Sequence, residues 1–252
     1  MKRLRFSLTV LAIALAVGVI GPPLPAQTEG PSFADDLRGS TLDRQQWDVE
    51  RFKSRGDIVA TEDGLRMEFT VRNVADFFAH NVWLNCRISG DFDARLSYEL
   101  TKWPRDSGIR LGLGVHPNPK PFGSTTLHGV FGDPSGKRTA IAERISLKRG
   151  AASTYPSGGQ FYLSEMNGRE GRLFVTTDME GQVRISRENT TYKAWYYDDG
   201  GDLWIPTGQW SVHPDLREDE WATIQLWGRE SSPNVEVLVR DFSLNADELE
   251  CP

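Results

Sequence analysis

Six aromatic side chains lie within the nineteen residues from Tyr192 to Trp210, and they flank the acidic, glycine-containing run 198–202. Asp and Gly favour tight turns, so this stretch predicts two strands joined by a turn. Trp and Tyr each combine a large apolar ring with one polar group. Such rings stack on sugar rings, while polar side chains nearby bond the hydroxyl groups. The candidate ligand-binding residues on this hairpin and on the strand before it are Trp195, Tyr197, Trp204, Arg184, Arg187 and Asn189.

The same rings have a second explanation, which the sequence leaves open. Buried aromatic side chains are a common component of protein cores, and alternation with period two divides the hairpin into two sets. The sets are Tyr192, Ala194 and Tyr196 on one side and Lys193, Trp195 and Tyr197 on the other. One set is expected to face a core, so at most half of the rings can meet a ligand.

The chain contains no recognisable catalytic signature. Its 35 acidic residues are spread along the sequence, and no spacing selects the two carboxylates, about 5–10 Å apart, that glycoside hydrolysis normally requires. Asp198, Asp199 and Asp202 lie in the predicted turn, where turn formation alone accounts for them. The four histidines lack zinc-type spacing, and no serine lies in a Gly-x-Ser-x-Gly elbow. These observations favour a protein that is not an enzyme, although they do not decide the question.

The N-terminal residues have the layout of a secretory signal peptide. Lys2, Arg3 and Arg5 form a basic start, Leu8–Ile20 is apolar, and a segment rich in Gly and Pro ends at Ala26. We therefore predict a signal peptide over residues 1–26 and a secreted or periplasmic protein. The alternative is a membrane anchor, which needs about 20 apolar residues, and the apolar run is shorter. No other stretch of the sequence is long and apolar enough to span a membrane.

Residues 27–252 are predicted to form a single domain, because no linker rich in Ser, Pro or Gly divides them. The whole chain has a formal charge of −6, and removal of the leader would take away basic residues only. An acidic chain without a basic patch is a poor candidate for binding nucleic acid. The sequence does not indicate an oligomeric state.

Cys86 and Cys251 are the only cysteines in the chain. In an oxidising compartment an even pair favours one disulfide, which would fix the C-terminal tail to the strand that ends near Cys86. Two free thiols are the alternative, because two cysteines alone do not define a geometry.

Alternation of apolar and polar residues dominates the chain and predicts half-buried strands, most clearly over Phe92–Leu100 and Ile109–Val115. On the opposite face of the second strand, Gly112 and Gly114 would let a ligand or another backbone approach. Further strands are predicted at Leu65–Val71, His80–Cys86, Leu127–Phe131, Ala140–Leu147, Gln160–Glu165, Arg172–Thr177, Gln182–Arg187, Trp221–Trp227 and Val235–Phe242. So many short strands without a long amphipathic helix predict an all-β sandwich or barrel of antiparallel sheets.

Three stretches occur in a characteristic order along the chain. Phe33–Trp47 has an aromatic-acidic strand, a Gly and a Leu-Asp turn before Trp; Gly90–Tyr98 is a long strand; Val235–Ser243 is a closing strand. Together they resemble the concanavalin-A-like lectin/glucanase superfamily, and more narrowly its exported bacterial domains of unknown function. The resemblance implies a two-sheet antiparallel jelly roll in which the concave face of one sheet carries any ligand. It does not imply an activity, and the Glu-x-Asp-x-Glu strand of glucanases with this fold is absent from the sequence.

Structural Ca²⁺ recurs in the superfamily that the chain resembles. Asp36 and Asp241 would be neighbours if the first and last strands pair. Because Ca²⁺ takes about six to eight oxygens from carboxylates and loop carbonyls, we expect either no cofactor or a structural Ca²⁺ at this pair. The alternative is that these are surface aspartates of the kind common near strand ends.

The function that the resemblance implies is non-catalytic binding of a carbohydrate or glycan by an exported domain. One alternative is a glycoside hydrolase-like enzyme with a non-standard pair of carboxylates. The other is a structural or protein-binding domain of the cell envelope. The surface of the sheets distinguishes them, because exposed rings in a groove indicate binding and two facing carboxylates indicate catalysis.

Overall fold

The structure of the protein is a computed structural model that describes residues 30–52, 56–69, 77–117, 140–150, 157–166, 169–212, 219–229 and 234–252. Within these ranges every regular element is a β-strand. The strands are β1 (Ser32–Asp35), β2 (Trp47–Phe52), β3 (Ile58–Thr61), β4 (Gly64–Phe69), β5 (Phe77–Leu84), β6 (Arg87–Lys102), β7 (Ile109–His116), β8 (Ala140–Leu147), β9 (Gly159–Met166), β10 (Arg169–Glu170), β11 (Phe174–Val175), β12 (Glu180–Glu188), β13 (Thr191–Asp198), β14 (Leu203–Ser211), β15 (Trp221–Arg229) and β16 (Val235–Glu250). The predicted signal peptide and the predicted strand Leu127–Phe131 lie outside the described residues.

The strands form two antiparallel sheets. Sheet A has the order β14-β13-β12-β6-β16-β4-β3, and β1 also pairs with β16; sheet B has the order β10-β9-β8-β7-β15-β5-β2, and β11 also pairs with β9. The first and last strands pair as predicted, with Ser32 opposite Asn245 and Asp35 opposite Phe242. The prediction of an all-β sandwich of two antiparallel sheets is therefore confirmed.

The core lies between the inner faces of the two sheets. Sheet A contributes alternate residues of β6 from Phe92 to Leu100, each 4% exposed or less. Sheet B contributes alternate residues of β7 from Ile109 to Val115, each 0% exposed. Burial of one large aliphatic side chain stabilises a fold by roughly 1.5–3 kcal/mol. The alternation that predicted these strands thus also identified their buried faces.

A disulfide joins Cys86 and Cys251, which are 165 residues apart in the sequence, so the predicted pairing is confirmed. Cys86 lies between β5 of sheet B and β6 of sheet A, and Cys251 follows directly after β16. The bond therefore fixes the end of the last strand where the chain passes from one sheet to the other. Among the residues described, no helix has the length and apolar character needed to cross a membrane.

Candidate functional site

The outer face of sheet A, which points away from the core, carries most of the predicted ligand-binding side chains. Strand register places Arg184 opposite Trp195 and Tyr197 opposite Trp204. The guanidinium carbon of Arg184 lies 4.5 Å from the centroid of the Trp195 ring and 5.9 Å from that of Trp204. The Tyr197 and Trp204 rings meet edge to face, with their centroids 5.3 Å apart. The structure thus brings four of the six predicted residues together.

Two residues of β6 complete this group. Asp93 forms ion pairs with Arg184 and with Arg95, whose Nε lies 3.1 Å from Asp93 Oδ1. Arg95 also lies over the Trp204 ring, 5.8 Å from its centroid. We call Trp195, Tyr197, Trp204, Arg184, Arg95 and Asp93 the outer aromatic cluster. Cation–π contacts and ion pairs together orient its half-buried rings.

The predicted turn holds one ring of this cluster in place. The hydroxyl of Tyr197 donates a hydrogen bond to Asp202, and this bond raises the pKa of the phenol. Asp202 has a φ of 50°, in the left-handed region that Asp tolerates better than most residues. The acidic run that predicted the turn therefore also supports the aromatic surface.

A β-bulge lies beside the outer aromatic cluster, in the edge strand β14. The pairing of β13 with β14 shifts by one residue between Ala194 and Trp195, which leaves Thr207 as the extra residue. A bulge bends a strand and redirects its groups. The carbonyl of Thr207 accepts a hydrogen bond from the Arg172 N–H at 2.7 Å. Because Arg172 follows β10, this bond joins the edge of sheet A to the edge of sheet B.

An open cleft of about 750 Å³ lies along this junction, and we call it the seam cleft. Its described lining residues include Trp195, Trp210, Thr207, Arg172, Lys193 and Glu170. Its volume is within the range of ligand sites, roughly 300–1,000 Å³. Thr207 is 3% exposed, and its Oγ1, which is shielded from solvent, has no hydrogen-bond partner among the described residues. An unsatisfied buried hydroxyl costs free energy.

Arg187 does not reach the outer face of sheet A. Its side chain is 2% exposed and donates hydrogen bonds to Glu220 Oε2 at 2.8 Å and to the Gly90 carbonyl oxygen. The hydroxyl of Tyr192 donates to the same glutamate, and burial raises the pKa of this tyrosine. Arg187 therefore balances a buried carboxylate, and we do not include it in the ligand site.

Asn189 lies in the β12–β13 turn, at the opposite end of β13 from Tyr197 and Asp202. It has a φ of 54°, and its N–H donates to Asp91 Oδ1 at 2.6 Å. The structure does not bring it together with the outer aromatic cluster.

Asp36 directly follows β1 and Asp241 lies in β16, and these first and last strands pair as predicted. Asp36 Oδ1 accepts a hydrogen bond from the Arg38 N–H at 3.1 Å, and Asp241 Oδ2 accepts one from the Ser97 hydroxyl at 3.0 Å. Within the described ranges, no group of three or more His, Cys, Asp or Glu side chains is arranged to hold a metal ion. Since Ca²⁺ takes about six to eight oxygens, this pair would need further ligands, and the structural Ca²⁺ expected here stays a prediction.

The outer face of sheet B carries a row of polar residues that the sequence analysis did not identify. Strand register aligns Glu143, Gly112, Gln225, Asn81 and Glu50 across β8, β7, β15, β5 and β2. We call these five residues the polar row. Trp83 and Trp227 lie on the two sides of it, each two positions from a member of the row along its own strand.

Each carboxylate of the polar row accepts a hydrogen bond from an indole. Trp227 Nε1 donates to Glu143 Oε1 at 2.7 Å, and Arg110 donates to Glu143 Oε2 at 3.0 Å. Trp83 Nε1 donates to Glu50 Oε2 at 3.3 Å. Burial raises the pKa of Glu143. The two glutamates therefore lie in different environments, because Glu50 is only half-buried.

The glycine in the polar row gives Glu143 its position. A Cβ on Gly112 would lie 2.8 Å from Glu143 Cγ, so only glycine leaves the room for this side chain to lean across β7. In the middle of the row, Asn81 and Gln225 are at most 1% exposed, and among the described residues Asn81 Oδ1 and Gln225 Oε1 have no hydrogen-bond partner. The small residues on this face were predicted to admit a ligand or another backbone, and the nearest neighbour of a Cβ on Gly112 would be the backbone oxygen of Ala142, at 2.5 Å.

Solved structures with the same architecture are concanavalin-A-like proteins. Lectin I from Ulex europaeus, in complex with the methyl glycoside of α-L-fucose, is 13% identical over 86% of this chain and 98% of its own, with a TM-score of 0.58. Peanut lectin is 10% identical over 89% of this chain and 100% of its own, with a TM-score of 0.57. An immunostimulatory antigen and pseudo β-1,3-glucanase of Mycobacterium tuberculosis is 12% identical over 86% of this chain and 98% of its own, with a TM-score of 0.53.

Identities this low establish the fold and nothing finer. No protein-family model and no curated protein sequence matches the chain. The protein has the concanavalin-A-like jelly-roll fold that legume lectins and a glucanase-like protein share. The resemblance found in the sequence is therefore confirmed at the level of the fold.

Proposed function

We propose that the protein binds a glycan in the seam cleft and does not cleave it. The observation that supports this most strongly is the position of Trp195, which lines the cleft while Arg184 stacks on its ring. An indole offers an apolar face to a sugar ring. Gln209 and Arg172 also line the cleft, and their amide and guanidinium groups are able to bond sugar hydroxyls.

Binding is favoured over cleavage at this cleft because Glu170 is the single carboxylate among its described lining residues. Glycoside hydrolysis normally uses two carboxyl groups, one as an acid and one as a base or nucleophile. A cleft with one carboxylate and two indoles is suited to holding a sugar.

Two of the solved structures with the same fold support a sugar as the class of ligand. Lectin UEA-II was solved with galactose, and lectin I from Ulex europaeus with the methyl glycoside of α-L-fucose. The signal peptide predicted over residues 1–26 would direct export, and the disulfide between Cys86 and Cys251 is typical of an oxidising compartment. We therefore propose that the glycan is bound outside the cytoplasm.

A glycan array followed by titration calorimetry tests this proposal. We expect Trp195→Ala to weaken the binding of the strongest array ligand by at least about 10-fold, which corresponds to 1.4 kcal/mol. Leu203→Ala is the matched control, because Leu203 is an exposed apolar residue of the same hairpin and lies outside the cleft. Equal affinity of wild type and Trp195→Ala, with both folded, would contradict binding at this cleft.

A second candidate function is glycoside cleavage at the polar row. The observation that favours it is the alignment of Glu50 and Glu143 in one row between two tryptophans. The raised pKa of Glu143 suits a general acid, and Glu50 would then serve as the base.

Release of reducing ends from the array ligand, abolished by both Glu143→Gln and Glu50→Gln, would support cleavage at the polar row. Intact ligand after prolonged incubation would exclude it, and no binding on the array would leave a structural or protein-binding role.

A further inference from the structure

We infer that the seam cleft selects glycans that carry a carboxylate, and that Arg172 binds this group; the inference rests on the proposed glycan binding at the same cleft. The backbone holds Arg172 in a fixed position at the edge of the cleft. The Arg172 N–H donates to the Thr207 carbonyl at 2.7 Å. A Cβ on the preceding Gly171 would overlap that carbonyl oxygen, so the two backbones are in close contact and the base of the Arg172 side chain is fixed.

The side chain of Arg172 is exposed and lines the cleft. In the part of the chain that the structure describes, no carboxylate lies within ion-pairing distance of its guanidinium. Three arginines on strands of sheet A differ in this respect, since Arg184 and Arg95 pair with Asp93 and Arg187 pairs with Glu220. A guanidinium matches a carboxylate with two parallel hydrogen bonds, so Arg172 offers the cleft an unused site of this kind.

The charges around the cleft favour an anionic ligand locally. Lys193 contributes a second cation, although its Nζ lies 2.7 Å from Glu188 Oε2 and is partly neutralised. Glu170, two residues before Arg172, is the opposing charge in the described lining. The chain as a whole carries a formal charge of −6, which disfavours non-specific attraction of polyanions. Selection of an acidic sugar must therefore come from the cleft itself.

Thr207 links the two halves of this site. Its carbonyl holds Arg172, and its place in the bulge sets it next to the register shift at Trp195. A sugar ring stacked on Trp195 would thus have the Arg172 guanidinium in the same cleft. This arrangement fits a uronic acid residue, which carries its carboxylate on the ring that stacks.

Matched pairs of glycans test the inference. Each pair consists of a uronic acid oligosaccharide and its carboxyl-reduced, neutral counterpart. Both members are compared on one array, and the pair that binds most tightly is then measured by calorimetry. We expect wild type to prefer the acidic member by at least about 10-fold, as one charge-assisted contact allows. Arg172→Gln should lower this ratio to about 1 by weakening the binding of the acidic member, because the variant lacks the guanidinium that pairs with the carboxylate and keeps the backbone hydrogen bond of the seam. Glu170→Gln should raise the ratio by removing the opposing charge.

The outcomes separate the two proposals. Equal binding of acidic and neutral members by wild type overturns carboxylate selection and leaves glycan binding in place. A preference for the acidic member that persists in Arg172→Gln overturns the role of Arg172. Absence of binding to every glycan overturns both. Melting temperatures equal to that of wild type, expected because both side chains are exposed, show that the variants are folded.

Discussion

Arg172 and Thr207 join the two sheets through one backbone hydrogen bond, 2.7 Å long, at the edge of the sandwich. Thr207 is the extra residue of a β-bulge, and the bulge turns its carbonyl toward sheet B. Both residues line the seam cleft, and within the described ranges the buried hydroxyl of Thr207 has no hydrogen-bond partner. The contact that closes this edge therefore also shapes the candidate ligand site.

A methyl group at Gly171 should disturb this junction. Its Cβ would overlap the Thr207 carbonyl oxygen and lie 2.6 Å from Ser164 Oγ. We expect Gly171→Ala to lower the free energy of unfolding by about 1–3 kcal/mol, as overpacking does, and to weaken glycan binding. Gly200→Ala is the control, because its Cβ would meet nothing closer than 3.5 Å. Denaturant titration of both variants checks this, and equal stabilities would count against a tight seam.

The buried ion pair between Arg187 and Glu220 should be intolerant of losing one partner. Both side chains are at most 2% exposed, and removal of Glu220 leaves the guanidinium charge buried. We expect Glu220→Ala to cost about 3–5 kcal/mol. Glu188→Ala removes an exposed partner of Lys193 and should cost less than about 1 kcal/mol. Urea unfolding curves measure both, and similar losses would contradict a structural role for Arg187.

Acid should destabilise the protein through its buried histidines. Burial lowers the pKa of His80 from 6.5 to about 4 and that of His116 to about 3. Unfolded histidine gains a proton below about pH 6.5 while the folded form stays neutral, so stability falls as pH decreases from 6.5 towards 4. The slope should reach about 1.4 kcal/mol per pH unit for each histidine, and it should level off below the folded pKa values.

His80→Leu isolates one part of this acid sensitivity. In the part of the chain that the structure describes, both ring nitrogens of His80 lack a hydrogen-bond partner, so an apolar replacement loses no hydrogen bond there. Unfolding free energies measured between pH 4 and 7 should decrease less steeply in the variant than in wild type. An unchanged slope would show that His80 does not titrate as its burial predicts.

The disulfide should contribute substantially to stability. Cys86 and Cys251 close a loop with a sequence separation of 165, for which the chain-entropy model gives about 5 kcal/mol. We expect Cys86→Ser with Cys251→Ser to lower the thermal midpoint strongly, and a reductant to have no further effect on that variant. A midpoint in the double variant equal to that of oxidised wild type would contradict this contribution.

Alternation in the sequence predicted the long central strands β6 and β7 and their buried faces, because period two follows directly from strand geometry. It missed β2 and β3, and it predicted a strand over Arg172–Thr177 where β11 covers only Phe174–Val175. The sequence also contained a signal about Arg187 that the prediction of a ligand-binding role for this residue did not use. Val183, Ile185 and Arg187 alternate on β12, and the first two are core residues. The pattern places the arginine inside with them, where only a buried acid such as Glu220 can balance it.

The seam cleft and the polar row could not be derived in this way. The bulge at Thr207 depends on the pairing of β13 with β14 residue by residue, which alternation does not specify. The polar row requires the order and register of five strands from distant parts of the chain. A local signal existed, since Asn81 and Gln225 each lie two residues before a Trp on a strand, but it does not show that the two strands are adjacent.

Hydrogen–deuterium exchange with a bound glycan tests the central claim most directly. Binding in the seam cleft predicts slower amide exchange in residues 170–172 and 204–210, which line the cleft or form its edge strand. Residues 79–83 and 223–227, which carry the centre of the polar row, should exchange at unchanged rates. Slower exchange in residues 79–83 and 223–227, without slower exchange in residues 170–172 and 204–210, would contradict binding in the seam cleft and place the ligand on sheet B.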